Sequence, residues 1–365
     1  MSHEEYWFWL CNIKHLYRDN INRLLGYFGA PEEIYRAKEE QLTASGTVDS
    51  KTAREIVTSR NAFRSAYKLD KLKNDGIRFI HYGGPDYPEA FAVLPDCPYS
   101  LYVKGNMPDP EYPSVGIVGS RQCSGYGKEM TLKYAQTLAA NGVQIISGMA
   151  AGVDSFAARG AIEAGGRTFA VLGSGLDVIY PAQNIELYYQ IILNGGGVIS
   201  EYPMGTAPAG WQFPHRNRLI SALSDKLIII EAGKNSGTLS TASHALNQGK
   251  DVFALPGRVT DPLSEGCNKM IADGAGVLLS PEYFLDDLYG ADRRTWSEVK
   301  PSGRSMPCEN GLQSIVLKAL SYEPATVDSI ASAVKMHVTQ VAEILTEMEL
   351  SGLCIQVSKD CYALE

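Results

Sequence analysis

The sequence contains no apolar run approaching the roughly 18 residues that a membrane-spanning helix requires. Near its start it is acidic, at Glu4 and Glu5, where a secretory signal would be basic. The seven cysteines are odd in number, scattered, and include no C-x-x-C pair of the zinc or redox type. We therefore expect a cytoplasmic protein with reduced thiols that does not contact a membrane.

The sequence also has no excess of basic residues. Its 33 Lys and Arg against 41 Asp and Glu give a net charge of −8, which excludes the broad positive surface of many nucleic-acid-binding proteins. Any phosphate site therefore has to be a local patch. No metal-ligand cluster and no Ser/His/Asp or Cys/His set is identifiable by spacing, so we expect no catalytic residue, no metal and no cofactor.

Proline, glycine and charge divide the chain into parts. Apolar residues at helical spacing predict a small all-helical domain over residues 1–75. Residues 76–113 hold seven of the 18 prolines and are predicted to be an extended connector that leads into the core. A glycine-rich domain over residues 114–289 follows, and a polar linker over residues 290–310 separates it from a last domain, residues 311–365.

In the glycine-rich domain, short apolar runs alternate with helical patterns. Examples are the runs at 115–118, 143–146 and 227–230. Such runs are typical of parallel strands that are buried on both faces. The prediction is an α/β fold with a Rossmann-like, doubly wound, mostly parallel sheet. Ligands bind such sheets beyond the carboxyl ends of the strands, so the loops there are the candidate site.

The loop after the first of these runs, residues 119–127, is rich in glycine and leads into a helix. Free backbone N–H groups at a helix N-terminus suit a phosphate, and the guanidinium of Arg121 can bind one bidentately. The loop is not a dinucleotide fingerprint, because Met130 stands where a third Gly or Ala belongs. It is not a Walker A loop either, because Glu129 replaces Ser or Thr. A purely structural turn is the alternative interpretation.

Two further loops have the same small-residue character. The loop 147–154 ends at Asp154, which is interpreted as a helix cap or as part of the site. The loop 233–238 again precedes a helix and offers free amides. Several such loops along one sheet edge suit a string of phosphates better than a single nucleotide.

Two arginines, Arg216 and Arg218, fall at the expected start of a helix. Positive charges are unfavourable at that end of the helix dipole unless an anion lies between them, which indicates a phosphate. The alternative is that both pair with acids such as Glu201 or Asp225.

Two aromatic residues precede these arginines. Trp211 and Phe213 offer ring faces on which unpaired bases can stack. The alternative for Phe213 is a place in the core.

With these residues in view, the chain resembles the DNA-processing protein A (DprA/Smf) family over most of its length. The motifs that carry the resemblance occur in order: Gly119-Ser120-Arg121, Ser147-Gly148 with Gly152-Val153-Asp154, Ser200-Glu201, Phe213-Pro214 with Arg216-Asn217-Arg218, Glu231-Ala232 with Ser236-Gly237-Thr238, and Pro256-Gly257 with Gly274-Ala275.

The resemblance implies a protein that binds single-stranded DNA without cutting it, protects it, and helps to load a RecA-type recombinase during natural transformation. It also implies a homodimer formed through the Rossmann-like domain. Taken with the loop analysis, the expected single-stranded DNA contacts are Gly119, Ser120, Arg121, Ser124, Gly148, Gly152, Trp211, Phe213, Arg216, Asn217, Arg218, Ser236, Gly237 and Thr238.

The sequence departs from the family pattern at two places. Ala158 stands where family members often have His, and residues 209–212 lack the Lys or Arg that often precedes the Phe-Pro pair. One charged contact is thereby lost, and stacking on Trp211 would compensate for it.

The family also implies a helical N-terminal domain of sterile-alpha-motif or helix-hairpin-helix type and a C-terminal winged-helix domain. Three helices are predicted at 312–320, 327–334 and 338–350, followed by a hairpin. The third helix carries Glu343, Glu347 and Glu349 but no Lys or Arg, so phosphates would repel it. We therefore interpret this domain as a protein-contact or autoregulatory module rather than a duplex DNA reader.

Two other functions are compatible with parts of the pattern. A nucleotide phosphoribohydrolase of the lysine-decarboxylase-like family shares a Rossmann-type sheet, but Thr241 occupies the position of its essential carboxylate. A winged-helix transcription regulator is disfavoured by the acidic third helix.

Overall fold

A computed structural model describes residues 1–62, 65–234, 236–290, 316–317, 319–320, 325–334, 336–350, 354–358 and 360–363. Contacts divide the chain into two compact units, Met1–Pro301 and Ser302–Glu365. Within the described ranges, no helix has both the length and the apolar character needed to cross a membrane. The first unit contains the helical segment and the sheet together.

The N-terminal segment is helical, as predicted. The first helix starts with a capping box, in which Ser2 accepts from the Glu5 backbone N–H and the Glu5 side chain accepts from the Ser2 N–H. Trp7 and Phe8 of this helix pack on strand residues, whereas Trp9 packs among the other helices. The first helix thus joins the segment to the sheet. The helices are α1 (His3–Cys11), α2 (Arg18–Phe28), α3 (Pro31–Arg36), α4 (Glu39–Ala44), α5 (Ser50–Ala62) and α6 (Ser65–Asn74).

Nine strands form one sheet in the order β1-β2-β6-β5-β4-β3-β7-β8-β9. β1 and β2 are antiparallel to their neighbours, and all other pairs are parallel. The prediction of a Rossmann-like, mostly parallel sheet is confirmed, and the proline-rich connector supplies β1 and β2. The strands are β1 (Ile77–His81), β2 (Ser100–Gly105), β3 (Ser114–Val118), β4 (Gln144–Ser147), β5 (Thr168–Leu172), β6 (Gly197–Ser200), β7 (Lys226–Ile229), β8 (Asp251–Ala254) and β9 (Gly276–Val277).

Helices cover both faces of this sheet. Val115 and Ile117 of β3 belong to one apolar cluster and Val118 to another, because alternate residues of a strand point to opposite faces. The helices are α7 (Glu89–Ala92), α8 (Gly125–Ala140), α9 (Val153–Glu163), α10 (Ile185–Leu193), α11 (Gln212–Ala222), α12 (Thr238–Asn247), α13 (Glu265–Ala272) and α14 (Pro281–Tyr289), with a 3-10 turn at Ala182–Asn184.

The strand order reverses at β3. From β3 the chain proceeds to β4 on one side, and β7 lies on the other. Loops that leave the sheet at such a switch point diverge and open a crevice between them. The loops after β3, β4 and β7 are therefore the structural location of the candidate site.

The second unit contains helices followed by a hairpin, in the order predicted for a winged helix. A three-stranded sheet has the order β10-β12-β11, with Val327, Val341 and Tyr362 in the core beside it. The predicted first helix, 312–320, lies mostly outside the described residues. The elements are β10 (Ala325–Thr326), α15 (Val327–Val334), α16 (Val338–Leu350), β11 (Ile355–Ser358) and β12 (Cys361–Ala363).

Candidate functional site

A cavity of about 360 Å³ opens at the switch point. Nine of the predicted contacts line it: Gly119, Ser120, Arg121, Phe213, Arg216, Asn217, Ser236, Gly237 and Thr238. Sequence reasoning did not place Ala150, Gly210, Pro214 or Thr241 there, although all four belong to the same loops and helices. Ala150 and Gly210 have no polar side-chain group, so their side chains gave no signal by which they could have been found.

The loops that form the cavity pack against each other through glycine. Gly152 has φ +78°, and a Cβ at this position would lie 2.3 Å from the Ser120 carbonyl oxygen. The Val153 N–H donates to the same oxygen over 3.1 Å. Gly152 does not line the cavity, so the structure gives it a part in holding the two loops together.

Arg216 lines the cavity and is only 3% exposed. Its Nη1 donates to the carbonyl oxygens of Gly148, over 2.9 Å, and Val171, and its Nε donates to Asn217 Oδ1 over 3.2 Å. No acceptor within the described part of the chain is hydrogen-bonded to Nη2. Since the residue lines the cavity, these N–H groups are available to a ligand there.

The prediction that the arginines lie at the start of a helix, where the helix dipole would disfavour them, is wrong. Helix α11 begins at Gln212, so Arg216 is in its second turn and not at the N-terminus. Burial lowers the pKa of Arg216 to about 10, Asp154 opposes that effect, and the nearby guanidinium of Arg121 adds to it. Burial of the Arg216 charge is therefore the main unfavourable effect, the guanidinium of Arg121 adds to it, and an anion in the cavity would relieve both.

Asp154 also lines the cavity, beside Arg216. Its carboxylate accepts from the N–H groups of Gly148, over 3.1 Å, and Ala150, over 3.4 Å. These groups belong to the loop after β4, so the interpretation of Asp154 as a cap of the following helix is wrong. Burial raises its pKa, against the charges of Arg216 and Arg121.

Gly148 separates these two charged groups. A Cβ there would lie 2.6 Å from Arg216 Nη2 and 2.7 Å from Asp154 Oδ2. Only glycine allows both side chains to occupy this part of the loop, so Gly148 shapes the site without lining the cavity.

Arg121 is exposed and lies over an aromatic ring at the cavity mouth. Its Cζ is 5.1 Å from the centroid of Phe213, and the Phe213 ring lies 5.6 Å from that of Tyr180. Arg121 and Arg216 line the same cavity, so the two guanidinium groups share one site.

Arg218 does not belong to this site. Its Nη1 and Nη2 donate to the two carboxylate oxygens of Glu201 over 2.9 and 2.7 Å. The remaining N–H groups donate to Asp96 and to the His215 carbonyl oxygen. All five guanidinium donors are thus used inside the protein, and the alternative of an internal ion pair holds for this arginine.

Glu201 is the acid that balances Arg218. Burial works against its ionisation, but the hydrogen bond with His215 and the charge of Arg218 outweigh burial and lower its pKa to about 2. The Ser200-Glu201 motif therefore has a structural role next to the cavity.

Two other predicted contacts lie outside the cavity. Ser124 caps α8 by accepting from the Gly127 N–H over 3.0 Å, and its own N–H and hydroxyl donate to the buried Glu231 over 2.9 and 2.5 Å. Trp211 lies directly before α11 and is 59% exposed.

Hydroxyl groups at the start of α12 form another wall of the cavity. Ser236 Oγ is hydrogen-bonded to Thr238 Oγ1 over 3.0 Å and accepts from the Thr238 N–H over 3.2 Å. Asn217 reaches this wall by donating to Ser240 Oγ over 3.1 Å. Two cations with hydroxyl and amide donors around one cavity are suited to bind an anion.

Two family models match this chain. The model described as DNA recombination-mediator protein A matches residues 78–289, and the DprA winged helix domain matches residues 300–358. The chain is 31% identical over 388 residues to Protein Smf of Synechocystis sp., with 97% of each chain covered. It is 42% identical over 199 residues to DNA processing protein DprA of Streptococcus pneumoniae, covering 54% of this chain and 70% of the relative.

Two solved structures are also similar. The crystal structure of DNA processing protein A from Streptococcus pneumoniae has a TM-score of 0.67 at 30% identity and covers 78% of this chain and 98% of the other. A structure that describes the single-stranded DNA binding mode of DNA processing protein A from Helicobacter pylori has a TM-score of 0.52 at 34% identity, covering 58% and 95%.

Proposed function

Because the chain belongs to the DNA recombination-mediator protein A family, we propose that its cavity binds the backbone of single-stranded DNA. The observation that carries this proposal is the pair of guanidinium groups, Arg121 and Arg216, at one cavity. Among the described residues that line that cavity, Asp154 is the only carboxylate, and loop amides and Arg216 offset its charge.

The two arginines contribute in different ways. Arg216 is fixed by three hydrogen bonds, and its Nη2 is available to a ligand. Ordering this side chain therefore costs little free energy when a phosphate binds. Arg121 is exposed and lies over Phe213, from which it can reach a phosphate at the mouth. Such contacts release counterions and favour a polyanion, so affinity depends on salt.

The cavity is better suited to a single strand than to a duplex. Its walls are loops and helix ends around about 360 Å³, which is a pocket for a nucleotide unit rather than a groove for a double helix. We propose that the protein binds without cutting the strand.

The cellular role follows from the family as a proposal. We infer that the protein protects incoming single-stranded DNA and helps to load a RecA-type recombinase in the cytoplasm during natural transformation. We also propose a homodimer formed through the Rossmann-like domain. The similarity to DprA and Smf proteins over most of the chain supports this role.

The second unit is proposed to contact protein rather than DNA. Glu343, Glu347 and Glu349 are exposed on α16, the helix that would enter a groove. Carboxylates on that surface repel phosphates, so the winged helix is more suited to a basic protein partner.

The proposal is tested by measuring the affinity of the full chain for a labelled oligo-dT and for a duplex of equal length. We expect tighter binding of the single strand and a loss of roughly 10-fold or more for Arg121→Ala. Arg54→Ala removes an equal charge from a side chain that is 74% exposed in the helical segment and serves as the control. Preference for the duplex, or equal affinity of Arg121→Ala and the control, contradicts the proposal.

A further inference from the structure

An exposed tryptophan lies beside the cavity. Trp211 is 59% exposed, whereas Trp7 and Trp9 are 5% and 0% exposed. Trp side chains are usually well buried in folded proteins because their rings carry a large apolar area. A Trp ring left open next to a binding site offers its face to a flat ligand.

Two rings pack against Trp211 at steep angles. Its centroid lies 6.2 Å from that of Tyr202 at 81° and 6.3 Å from that of His215 at 60°. His215 is fixed in turn by a hydrogen bond from Nδ1 to Glu201 Oε1 over 3.0 Å. Trp211 therefore has two packed neighbours, which reduces the cost of ordering its ring when a ligand binds.

Phe213, in contrast, already has its neighbours. A Cβ at Gly173 would lie 2.9 Å from Phe213 Cδ1, so the backbone packs directly against the ring. Tyr180 lies 5.6 Å away, and the guanidinium of Arg121 lies 5.1 Å from the ring centroid. These contacts suit Phe213 to position Arg121 at the cavity.

We propose that Trp211 is a platform on which an unpaired base stacks, next to the phosphate bound in the cavity. This inference rests on the proposed function. Trp211 directly follows Gly210, which lines the cavity, so a strand that leaves the cavity passes the ring. Stacking involves no charge, and Trp211 therefore adds affinity that salt does not weaken.

The test compares binding of an oligo-dT of about 20 nucleotides with that of an abasic strand of the same length, since only the former can stack. We expect Trp211→Ala to weaken oligo-dT binding about 5-fold or more, with an unchanged salt dependence and unchanged affinity for the abasic strand. Trp211→Phe keeps a ring and should retain most of the affinity. Tyr27→Ala removes a ring that is 63% exposed on α2 and is the matched control.

Phe213→Ala separates the two roles. Because this substitution releases Arg121, it should lower the affinity for the abasic strand as much as the affinity for oligo-dT. The stacking proposal is overturned if Trp211→Ala binds oligo-dT as the wild type does, or if its loss is equal on the abasic strand. If the wild-type protein binds neither strand, the result contradicts the proposed function itself and, with it, the stacking proposal.

Discussion

The ion pair of Glu201 with Arg218 leads to a prediction about the stability of the protein. Glu201 is 10% exposed and Arg218 is 1% exposed, and two hydrogen bonds join them. The pKa of Glu201 is lowered from 4.5 to about 2, which corresponds to about 3 kcal/mol of stability at neutral pH. We expect Glu201→Gln to lose about that amount, because it leaves the buried guanidinium with Asp96 as its remaining acid.

The pH dependence of this loss follows from its sign. A carboxyl whose pKa is depressed on folding stabilises the protein above its unfolded pKa, and the stabilisation disappears as the pH falls through the folded pKa. The difference in the free energy of unfolding between wild type and Glu201→Gln should therefore be about 3 kcal/mol at pH 7 and decrease to about 1 kcal/mol near pH 3.

Urea unfolding of both proteins, followed by circular dichroism between pH 7 and pH 3, measures this difference. Glu129→Gln, which changes an exposed carboxylate on α8, is the control and should stay close to the wild type at every pH. A difference for Glu201→Gln that is below about 1 kcal/mol at pH 7, or that grows as the pH falls, would refute the account of the pair.

Two further substitutions test the loops of the site. Gly148→Ala places a Cβ 2.6 Å from Arg216 Nη2, so it should weaken binding of oligo-dT by roughly 10-fold, and titration of a labelled strand would show it; unaltered affinity would mean that Arg216 makes no contact with the DNA. Ser124→Ala removes the 2.5 Å hydrogen bond to buried Glu231 and the cap of α8, so it should destabilise the protein by about 1–3 kcal/mol; an unchanged urea midpoint would contradict the role given to Ser124.

The location of the site could be predicted because strand and loop patterns are local. Short apolar runs gave the parallel strands, and a doubly wound sheet dictates that the loops after β3, β4 and β7 meet. For Asp154, in contrast, the sequence leaves open a helix cap or a part in the site, because its partners, the N–H groups of Gly148 and Ala150, become visible only once the loop has folded.

The separation of Arg216 and Arg218 was within reach of sequence reasoning. Residues two apart on a helix point in different directions, so both arginines could not face one cavity. The partner of Arg218, in contrast, could not be chosen from the sequence, because Glu201 and Asp225 were both available. The hydrogen bonds to Glu201 resolve this choice.

The exposure of Trp211 was also beyond the sequence. A Trp near a Phe-Pro pair is as compatible with a core position as with the surface, and only its 59% exposure in the folded chain decides between them. The partner of Ser124 is similarly distant, since Glu231 is 107 positions away along the chain.

The most direct test of the central claim is the salt dependence of single-strand binding. If Arg121 contacts a phosphate at the cavity, the slope of log K against log salt concentration should become shallower by about 0.7 in Arg121→Ala, while Arg54→Ala keeps the wild-type slope. Equal slopes for all three proteins would contradict the assignment of this cavity to the DNA backbone.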